Sequence, residues 1–366
     1  MPGRPLIGVD AVAVGARVTG AARVLLNVLA RLPTVDPALE YLAFVTPAGK
    51  DTLRERAPDV NVRVVTPRRG LGWELRGAAH AGADAGIDLL FTVRELVPLG
   101  GPPVLVHVFE PPAYRLAAFG PPSLGEARRF AKDVVLRLAF RRSLRRARAV
   151  TAGSETTAAW LRSHAGVEAG VVLPGIDPAF LESEPIPPAE PAYILHLASG
   201  DPRDNTGLVL RAFATGRTAG LRLVFVGTPE RMRGALERRA AKLGVGVELV
   251  GWVSDERLRE LYRGALAVVQ PSKYEGFAGY PALEAMALGT PVVALYAPGS
   301  TEPLAGRAVL VPREDPLLLS EALAQLRDDV ALRADLSARG HEFARSLTWE
   351  STAAGFAAAF RNALGR

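Results

Sequence analysis

A glycine-rich loop between a buried strand and a helix is the segment of this 366-residue chain best suited to chemistry. An apolar strand ends at Gln270, the loop runs from Glu275 to Tyr280, and Pro281 begins a helix that Gly289 ends. Unpaired N–H groups at such a helix N-terminus attract anions, and glycines let the backbone approach a ligand closely. The pattern favours a phosphate-bearing ligand, although α/β proteins also use it with no ligand bound.

Other residue types exclude several kinds of chemistry. The chain has no cysteine, so a thiol nucleophile, a thiolate metal site and a disulfide are excluded. None of the five histidines forms an HxxxH or HExxH pair, which argues against a histidine-bound zinc ion. We therefore expect neither a catalytic thiol nor a catalytic zinc ion held by clustered histidines, and we expect no cofactor. The histidines are His80, His107, His164, His196 and His341.

Two series of alternating strands and helices must position the loop, because 366 residues exceed what one core usually holds. A proline-rich stretch separates them. The predicted parts are an N-terminal domain at 1–183, a linker at 184–191, a second domain at 192–345, and a C-terminal helix at 346–366 that returns to the first domain. The pattern predicts an α/β protein of two doubly wound Rossmann-like domains facing across a cleft, with ligands at the carboxyl ends of the strands.

Short apolar runs identify the strands. In the first domain they are Leu6–Asp10, Tyr41–Val45, Val62–Val65, Leu89–Phe91, Val104–Val108, Ala149–Thr151 and Val171–Leu173. In the second domain they are Tyr193–Leu197, Arg222–Val226, Val247–Val250, Ala267–Gln270, Pro291–Ala294 and Ala308–Val311. No strand is followed by GxGxxG, which disfavours a dinucleotide-dependent dehydrogenase.

The positive charge is concentrated in one segment. The net charge is +6, whereas residues 126–148 alone carry nine cations against two carboxylates on an amphipathic helical pattern. This basic helix is a solvated surface helix or a contact for an anionic membrane or acceptor; motifs for nucleic-acid binding are missing. With no signal sequence and no apolar run of membrane-spanning length, the expected location is cytoplasmic, with peripheral membrane contact as an alternative.

The loop and helix resemble the Glu-x7-Glu signature of retaining glycosyltransferases of the GT-B fold, specifically family 4 (glycosyl transferases group 1). Matches to the same family occur along the chain. They include Thr19–Arg23, Ser154–Glu155, Pro174–Asp177, Gly251–Asp255, Leu261–Ala265 and Leu347–Glu350.

The resemblance implies a nucleotide diphosphate sugar as donor and assigns residues to it. Glu284 would bind the ribose hydroxyls, and Glu275 would contact sugar hydroxyls near the reacting carbon. Gly20 would face donor and acceptor from the first domain. The diphosphate, sugar and base would be held by Gly276, Phe277, Ala278, Gly279, Trp252 and Val253.

One departure from the family concerns phosphate binding. Where the family has an arginine and, five residues later, a lysine, this chain has Ser199 and Asp204, followed by Asn205. An anion in place of a cation near a phosphate changes the interaction by several kcal/mol. Arg203 or Lys273 would have to substitute, or the donor is bound weakly or is unusual.

Two further departures concern spacing. Eight residues separate Glu275 from Glu284 instead of seven, and a one-residue bulge allowed by Gly279 would keep both carboxylates in place. In the first domain, Phe109 aligns with a family histidine and Glu110 with the acidic residue after it. His107 lies two residues upstream on the same strand face, so either it takes over that role or it is a core residue.

The leading hypothesis is a retaining, metal-independent glycosyltransferase that acts on a hydroxyl acceptor, such as a glycan, a glycolipid or a secondary metabolite of the oligosaccharide antibiotic type. The expected catalytic residues are Glu275, Glu110 and His107. The alternative is a GT-B pseudoenzyme that binds a glycan or a partner without catalysis. A sugar phosphorylase or nucleotide-sugar epimerase of the same fold is a third candidate.

Overall fold

The structure is a computed structural model that describes residues 3–15, 20–67, 72–94, 96–114, 134, 138–182, 189–190, 192–299 and 301–365. The chain divides into two compact units. The first comprises Met1–Gly175 and Leu347–Arg366, and the second comprises Ile176–Ser346. Each unit contains one parallel β-sheet.

The sheet of the first unit has seven strands in the order β3-β2-β1-β4-β5-β6-β7. Its strands are β1 (Leu6–Asp10), β2 (Glu40–Val45), β3 (Asn61–Val64), β4 (Leu89–Thr92), β5 (Val104–Val108), β6 (Ala149–Ala152) and β7 (Gly170–Val171). The strand order reverses between β1 and β4, which is where open α/β sheets form a crevice at their carboxyl edge.

The sheet of the second unit has six strands in the order β10-β9-β8-β11-β12-β13. Its strands are β8 (Tyr193–Leu197), β9 (Arg222–Val226), β10 (Glu248–Leu249), β11 (Ala267–Gln270), β12 (Val292–Leu295) and β13 (Val309–Val311). Here the order reverses between β8 and β11, so this unit has its own crevice at the carboxyl edge.

Most of the described helices lie between successive strands, and the last three follow β13. They are α1 (Gly20–Val35), α2 (Lys50–Arg56), α3 (Ala78–Ala85), α4 (Glu155–Trp160), α5 (Pro178–Leu181), α6 (Thr206–Phe213), α7 (Glu230–Lys242), α8 (Asp255–Gly264), α9 (Tyr280–Ala287), α10 (Thr301–Leu304), α11 (Pro316–Asp328), α12 (Val330–Arg345) and α13 (Trp349–Leu364). Two π-helical segments, Trp73–Gly77 and Leu161–Ala165, precede α3 and follow α4.

The apolar runs located all thirteen strands to within two residues at each end. Parallel strands covered on both faces are largely apolar, so they stand out in a sequence. Every residue of β5 and of β11 is buried, including His107 in β5 and Gln270 in β11.

The last helix, α13, is part of the core of the first unit. Phe356 and Phe360 are fully buried, and their rings lie 4.9 and 5.3 Å from the ring of Phe91 in β4. Arg361 forms an ion pair of 2.7 Å with the buried carboxylate of Asp36. The helix is therefore held by apolar packing and by a charged contact.

The first unit ends at Gly175, before the boundary at 183 that the sequence predicts. Helix α5 belongs to the second unit, because the Phe180 ring lies 6.2 Å from Tyr262 and 5.8 Å from the Arg259 guanidinium. Most of the predicted linker at 184–191 lies outside the described residues.

Candidate functional site

The candidate site in the second unit lies at the carboxyl edge of its sheet. Because all six strands are parallel, the loops after β8, β10, β11 and β13 leave from this edge. The predicted donor-binding residues follow β8 (Ser199, Arg203 and Asn205), β10 (Trp252 and Val253) and β11 (Lys273 and the glycine-rich loop).

Main-chain bonds hold the glycine-rich loop in place. The Glu275 N–H donates to the Pro298 carbonyl at 2.9 Å, and the Ala278 N–H donates to the Gly299 carbonyl at 3.0 Å. The Gln270 amide donates to Glu275 Oε1 at 3.0 Å, so the end of β11 orients the carboxylate. Glu275 is thus fixed through both its backbone and its side chain.

Two successive residues of the loop have left-handed backbone conformations, Ala278 at φ 53° and Gly279 at φ 83°. A Cβ on residue 279 would lie 2.5 Å from the Gln270 amide nitrogen and 2.9 Å from Glu275 Cδ, which only glycine avoids. The extra residue between the two glutamates is accommodated in this tight turn, at the position that the sequence predicts.

Glu284 lies inside α9 and is 3% exposed. The Tyr262 hydroxyl donates to Glu284 Oε2 at 3.0 Å, and Tyr262 is itself fully buried. The sequence analysis did not identify Tyr262 as a site residue, and no spacing pattern would have done so, since 22 positions separate it from Glu284.

Ser199 and Asp204 contact each other at the end of β8. The Ser199 hydroxyl donates to Asp204 Oδ2 at 2.7 Å. Burial raises the pKa of Asp204, and the hydrogen bond from Ser199 opposes that shift. The two residues that replace the family's cations therefore form a polar pair of negative charge.

Two cations, Arg203 and Lys273, lie beside this pair. Arg203 forms an ion pair of 3.3 Å with Asp201 and stacks on the Tyr274 ring at 5.4 Å from its centroid. Lys273 Nζ lies 3.6 Å from Glu314 Oε1, and the Asn205 amide donates to Glu314 Oε2 at 3.1 Å. The fold thus brings Arg203, Asn205 and Lys273 together with Glu314, which the sequence analysis did not single out.

A buried histidine supports the loop after β8. His196 Nδ1 lies 3.0 Å from the Val269 carbonyl oxygen, which can only accept, so Nδ1 carries the proton. Nε2 then accepts from the Thr206 hydroxyl at 3.1 Å, at the start of α6. Burial lowers the pKa of His196 to about 4, so the imidazole is neutral at neutral pH.

Trp252 is 80% exposed just after β10, with Val253 half-buried beside it. The Gly227 N–H donates to the Gly251 carbonyl at 3.1 Å, which places Trp252 next to the loop after β9. In that loop the buried Thr228 hydroxyl has no hydrogen-bond partner among the described residues. An aromatic surface and a polar atom therefore lie at neighbouring strand ends.

The first unit has a cavity of about 320 Å³ at the carboxyl edge of its own sheet. It is lined by Ala13, Ala21, Glu74, Val93, Arg94, His107, Val108, Phe109, Glu110 and Phe140. The predicted residues His107 and Glu110 thus meet at one cavity. Gly20 is the first residue of α1, adjacent to Ala21 in the lining.

His107 is 2% exposed, and its Nδ1 lies within hydrogen-bond distance, 3.0 Å, of the Thr151 hydroxyl. Its ring packs edge-on against Phe109 and Phe356. Burial lowers the pKa of His107 to about 3, so the ring is a neutral and weak base that can still offer a hydrogen bond.

A charged cluster that the sequence analysis did not single out adjoins the cavity. Arg94 Nε donates to Asp10 Oδ2 at 2.9 Å, and its Nη1 donates to Glu74 Oε1 at 3.3 Å. Asp10 also accepts from the Trp73 indole at 3.1 Å and from the Thr92 hydroxyl at 3.4 Å. Asp10 ends β1 and Thr92 ends β4, so the switch point of this sheet is polar.

Residues 126–133 and 135–137 of the predicted basic helix lie outside the described residues. In its described part, Arg146 donates to the Val97 carbonyl at 3.0 Å and Arg148 donates to the Ala363 carbonyl at 2.9 Å. These two cations bind backbone oxygens of their own unit. Membrane contact through this segment stays a prediction.

Within the described ranges, no helix has the length and apolar content needed to cross a bilayer, and no three acidic or histidine side chains are grouped as ligands for a metal ion. The cytoplasmic location and the metal-independent chemistry expected from the sequence stay predictions.

The second unit is similar in sequence to known proteins. Residues 191–329 match the family described as Glycosyl transferases group 1. A D-inositol 3-phosphate glycosyltransferase from Acidothermus cellulolyticus is 32% identical over 213 residues, which cover 54% of this chain and 47% of that protein. The match thus spans about half the length of that relative.

Solved structures resemble the whole chain. Sucrose-phosphate synthase from Thermosynechococcus elongatus matches with a TM-score of 0.75 and 20% identity, covering 98% of this chain and 99% of that chain. The Anabaena protein HepE, solved in complex with UDP, matches with a TM-score of 0.72 and 17% identity, covering 98% of this chain and 100% of that chain. The two Rossmann-like units have the GT-B fold, and residues 191–329 match the Glycosyl transferases group 1 family.

Proposed function

We propose that this protein is a metal-independent, retaining glycosyltransferase that moves a sugar from a nucleotide diphosphate sugar to a hydroxyl acceptor. The observation that carries the proposal is the fixed pair of carboxylates around the glycine-rich loop. Gln270 orients Glu275, and Tyr262 orients Glu284, at the carboxyl edge of a glycosyltransferase group 1 domain.

The donor is assigned to the second unit. The Glu284 carboxylate is an acceptor suited to the vicinal hydroxyls of a ribose, and Glu275 suits hydroxyls of the transferred sugar. The loop amides and the N-terminus of α9 would stabilise the diphosphate. Trp252, exposed beside the loop after β9, offers a face for the base. The UDP in the HepE structure supports a nucleotide as the first ligand to test.

The acceptor is assigned to the cavity of the first unit. Glu110 would accept a hydrogen bond from an acceptor hydroxyl, and neutral His107 would help to orient the ligand. In the reaction, the bond from the anomeric carbon to the leaving diphosphate oxygen breaks while the acceptor oxygen bonds to the same face. The acceptor's proton passes to that diphosphate oxygen, and fixed donors stabilise the growing negative charge.

Turnover of UDP-, GDP- and dTDP-sugars, followed by NMR of the product anomer, tests the proposal. We expect at least one donor to be turned over with its anomeric configuration retained. Glu284→Gln should weaken nucleotide binding about tenfold or more, because hydrogen bonds to a charged group contribute about 1.5–3 kcal/mol. Tyr262→Phe should weaken it less, since the carboxylate remains.

Glu230→Gln is the matched control, because the Glu230 side chain is 88% exposed on α7. It should bind and turn over the donor like the wild type. The proposal is wrong if the wild type turns over none of the donors, or if the product has the inverted anomeric configuration.

A second candidate is a GT-B protein that binds a glycan or a partner without catalysis. The Ser199–Asp204 pair favours it, because negative charge at this position opposes a diphosphate. Calorimetric titration with UDP, GDP and dTDP separates the two candidates. Binding of a nucleoside diphosphate contradicts the second candidate, whereas the lack of both binding and turnover favours it.

A further inference from the structure

The donor side of the second unit has a deficit of positive charge at the end of β8. Three carboxylates, Asp201, Asp204 and Glu314, surround the two cations Arg203 and Lys273. A diphosphate brings further negative charge, so its binding needs a cation that can leave its present partner. The two cations differ in how firmly they are held.

Arg203 is held in a fixed orientation. Its guanidinium pairs with Asp201 at 3.3 Å and lies over the ring of Tyr274, which is 1% exposed. The Arg203 backbone N–H also donates to Asp201 Oδ1 at 2.9 Å, so Asp201 contacts both the backbone and the side chain of Arg203. Turning Arg203 towards a ligand would break both the ion pair and the aromatic contact.

Lys273 lies between the loop after β8 and the glycine-rich loop. Its backbone N–H donates to the Arg203 carbonyl at 3.3 Å, which sets it against the loop that contains Asp204. It lies two residues before Glu275, at the start of the glycine-rich loop. Its Nζ contacts Glu314 at 3.6 Å, and the two side chains are 25% and 42% exposed. A long, partly exposed ion pair is weak and exchanges readily.

Glu314 can release Lys273 and still keep a hydrogen bond. Its second oxygen, Oε2, accepts from the Asn205 amide at 3.1 Å. Asn205 has a left-handed conformation, φ 51°, directly after Asp204. When Lys273 leaves, Glu314 therefore stays partly exposed and hydrogen-bonded, so breaking the ion pair costs little free energy.

We propose that Lys273 is the diphosphate-binding cation of this protein, exchanging Glu314 for a phosphate oxygen when the donor binds, and that Glu314 positions it in the free state. This inference rests on the proposed function and deepens it. Lys273, on the β11 loop, would thus bind the phosphates in place of the two cations that the resemblance implies on the β8 loop.

Calorimetry with UDP, GDP, dTDP and the corresponding nucleosides tests this inference on the full chain. Lys273→Met should raise the Kd of the bound diphosphate about 10- to 100-fold, as expected for a charge-assisted bond. The Kd of the nucleoside, which has no phosphate, should change less than about threefold. Glu314→Gln should lower the Kd of the diphosphate, because it frees the lysine.

The control is Lys242→Met, which removes an exposed lysine at the end of α7 and should leave both affinities unchanged. A rescue variant makes the test independent of folding defects. Ser199→Arg combined with Asp204→Lys in the Lys273→Met background should recover diphosphate affinity by about tenfold or more.

Three results would overturn the inference. In the first, Lys273→Met binds the diphosphate as tightly as the wild type, and the proposed function stands without this lysine. In the second, it loses diphosphate and nucleoside affinity equally, which indicates a distorted site. In the third, the wild type binds no nucleotide at all, and the proposed function is then wrong as well.

Discussion

Ser199 and Asp204 are joined side chain to side chain, with the Ser199 hydroxyl donating to Asp204 Oδ2 at 2.7 Å. The bond closes the turn between β8 and α6, at the two positions where the resemblance would place cations. A polar pair with one negative charge thus lies at the edge where the proposed donor binds.

Donor binding should become stronger as the pH falls, because Asp204 becomes protonated. Burial raises the pKa of Asp204, so the folded protein takes up this proton at a higher pH than the unfolded chain does. Protonation removes a negative charge beside the phosphates. A nucleotide sugar, whose own charge is constant from neutral to mildly acidic pH, should therefore bind more tightly in acid.

Asp204→Asn should remove this pH dependence and bind at neutral pH as the wild type does in acid. The same variant should be more stable than the wild type at neutral pH, and the difference should shrink as the pH falls, because a raised folded pKa means that stability is lost with rising pH. Calorimetry at several pH values measures the donor affinity, and thermal unfolding at the same pH values measures the stability. A wild type whose donor affinity is independent of pH contradicts the prediction.

The two buried histidines should make the protein less stable below about pH 6.5. Burial lowers the pKa of His107 to about 3 and the pKa of His196 to about 4, so the unfolded chain binds protons first as the pH falls. The stabilisation is therefore fully present above the ordinary pKa and is lost towards the folded values. For His196 the change amounts to about 3 kcal/mol, at about 1.4 kcal/mol per pKa unit.

Urea unfolding across this pH range measures the effect. His107→Asn, which keeps a polar group near Thr151, should flatten the slope of stability against pH. His164→Asn replaces an exposed histidine and should leave the slope unchanged. An unaltered slope in His107→Asn would show that other groups cause the acid sensitivity.

Gly299→Ala should destabilise the protein more than the same substitution at an ordinary left-handed glycine would, because it disturbs the glycine-rich loop. Gly299 has φ 79°, and a Cβ there would lie 1.7 Å from the Glu275 carbonyl oxygen. Gly244 has φ 66° with no atom within 4 Å of the same position. We expect Gly244→Ala to lower the free energy of unfolding by about 1 kcal/mol and Gly299→Ala by about 3 kcal/mol.

Urea denaturation compares the two variants, and nucleotide titration adds a second measurement. Only Gly299→Ala should weaken nucleotide binding, because only that Cβ displaces the backbone of Glu275. Equal losses of stability in the two variants would show that the loop can move aside without cost.

Arg94→Met should destabilise the first unit by about 3 kcal/mol, since it leaves the carboxylate of Asp10 buried without its cation. Adding Asp10→Asn should recover part of the loss, which a double-mutant cycle measures. Arg162→Met removes an exposed arginine paired with Glu168 and should cost less than about 1 kcal/mol. If Arg94→Met costs no more than this control, Asp10 is adequately stabilised by Trp73 and Thr92.

Local sequence patterns were enough to place the strands and the glycine-rich loop. Parallel strands that are buried on both faces are largely apolar, so β5, β8 and β11 can be found from short windows. Pro281 and Gly289 likewise mark the two ends of α9 within a residue or two, because helix ends have local backbone requirements.

The end of the first unit was harder to place. Helix α5 carries no local signal for the unit it joins, and the contacts of Phe180 with Tyr262 and Arg259 come from residues about 80 positions away. For this reason the proline-rich stretch suggested a boundary later than the one that packing sets at Gly175.

The sequence by itself determined two α/β units, the strands of both sheets, the position of the glycine-rich loop and the absence of thiol chemistry. Only the tertiary structure decided which side chains contact the predicted residues: Tyr262 contacts Glu284, Gln270 contacts Glu275, and Glu314 contacts Lys273. The physical reason is range. Apolar periodicity and backbone conformation act over a few residues, whereas a polar side chain pairs with whichever partner the folded chain brings within hydrogen-bond or ion-pair distance.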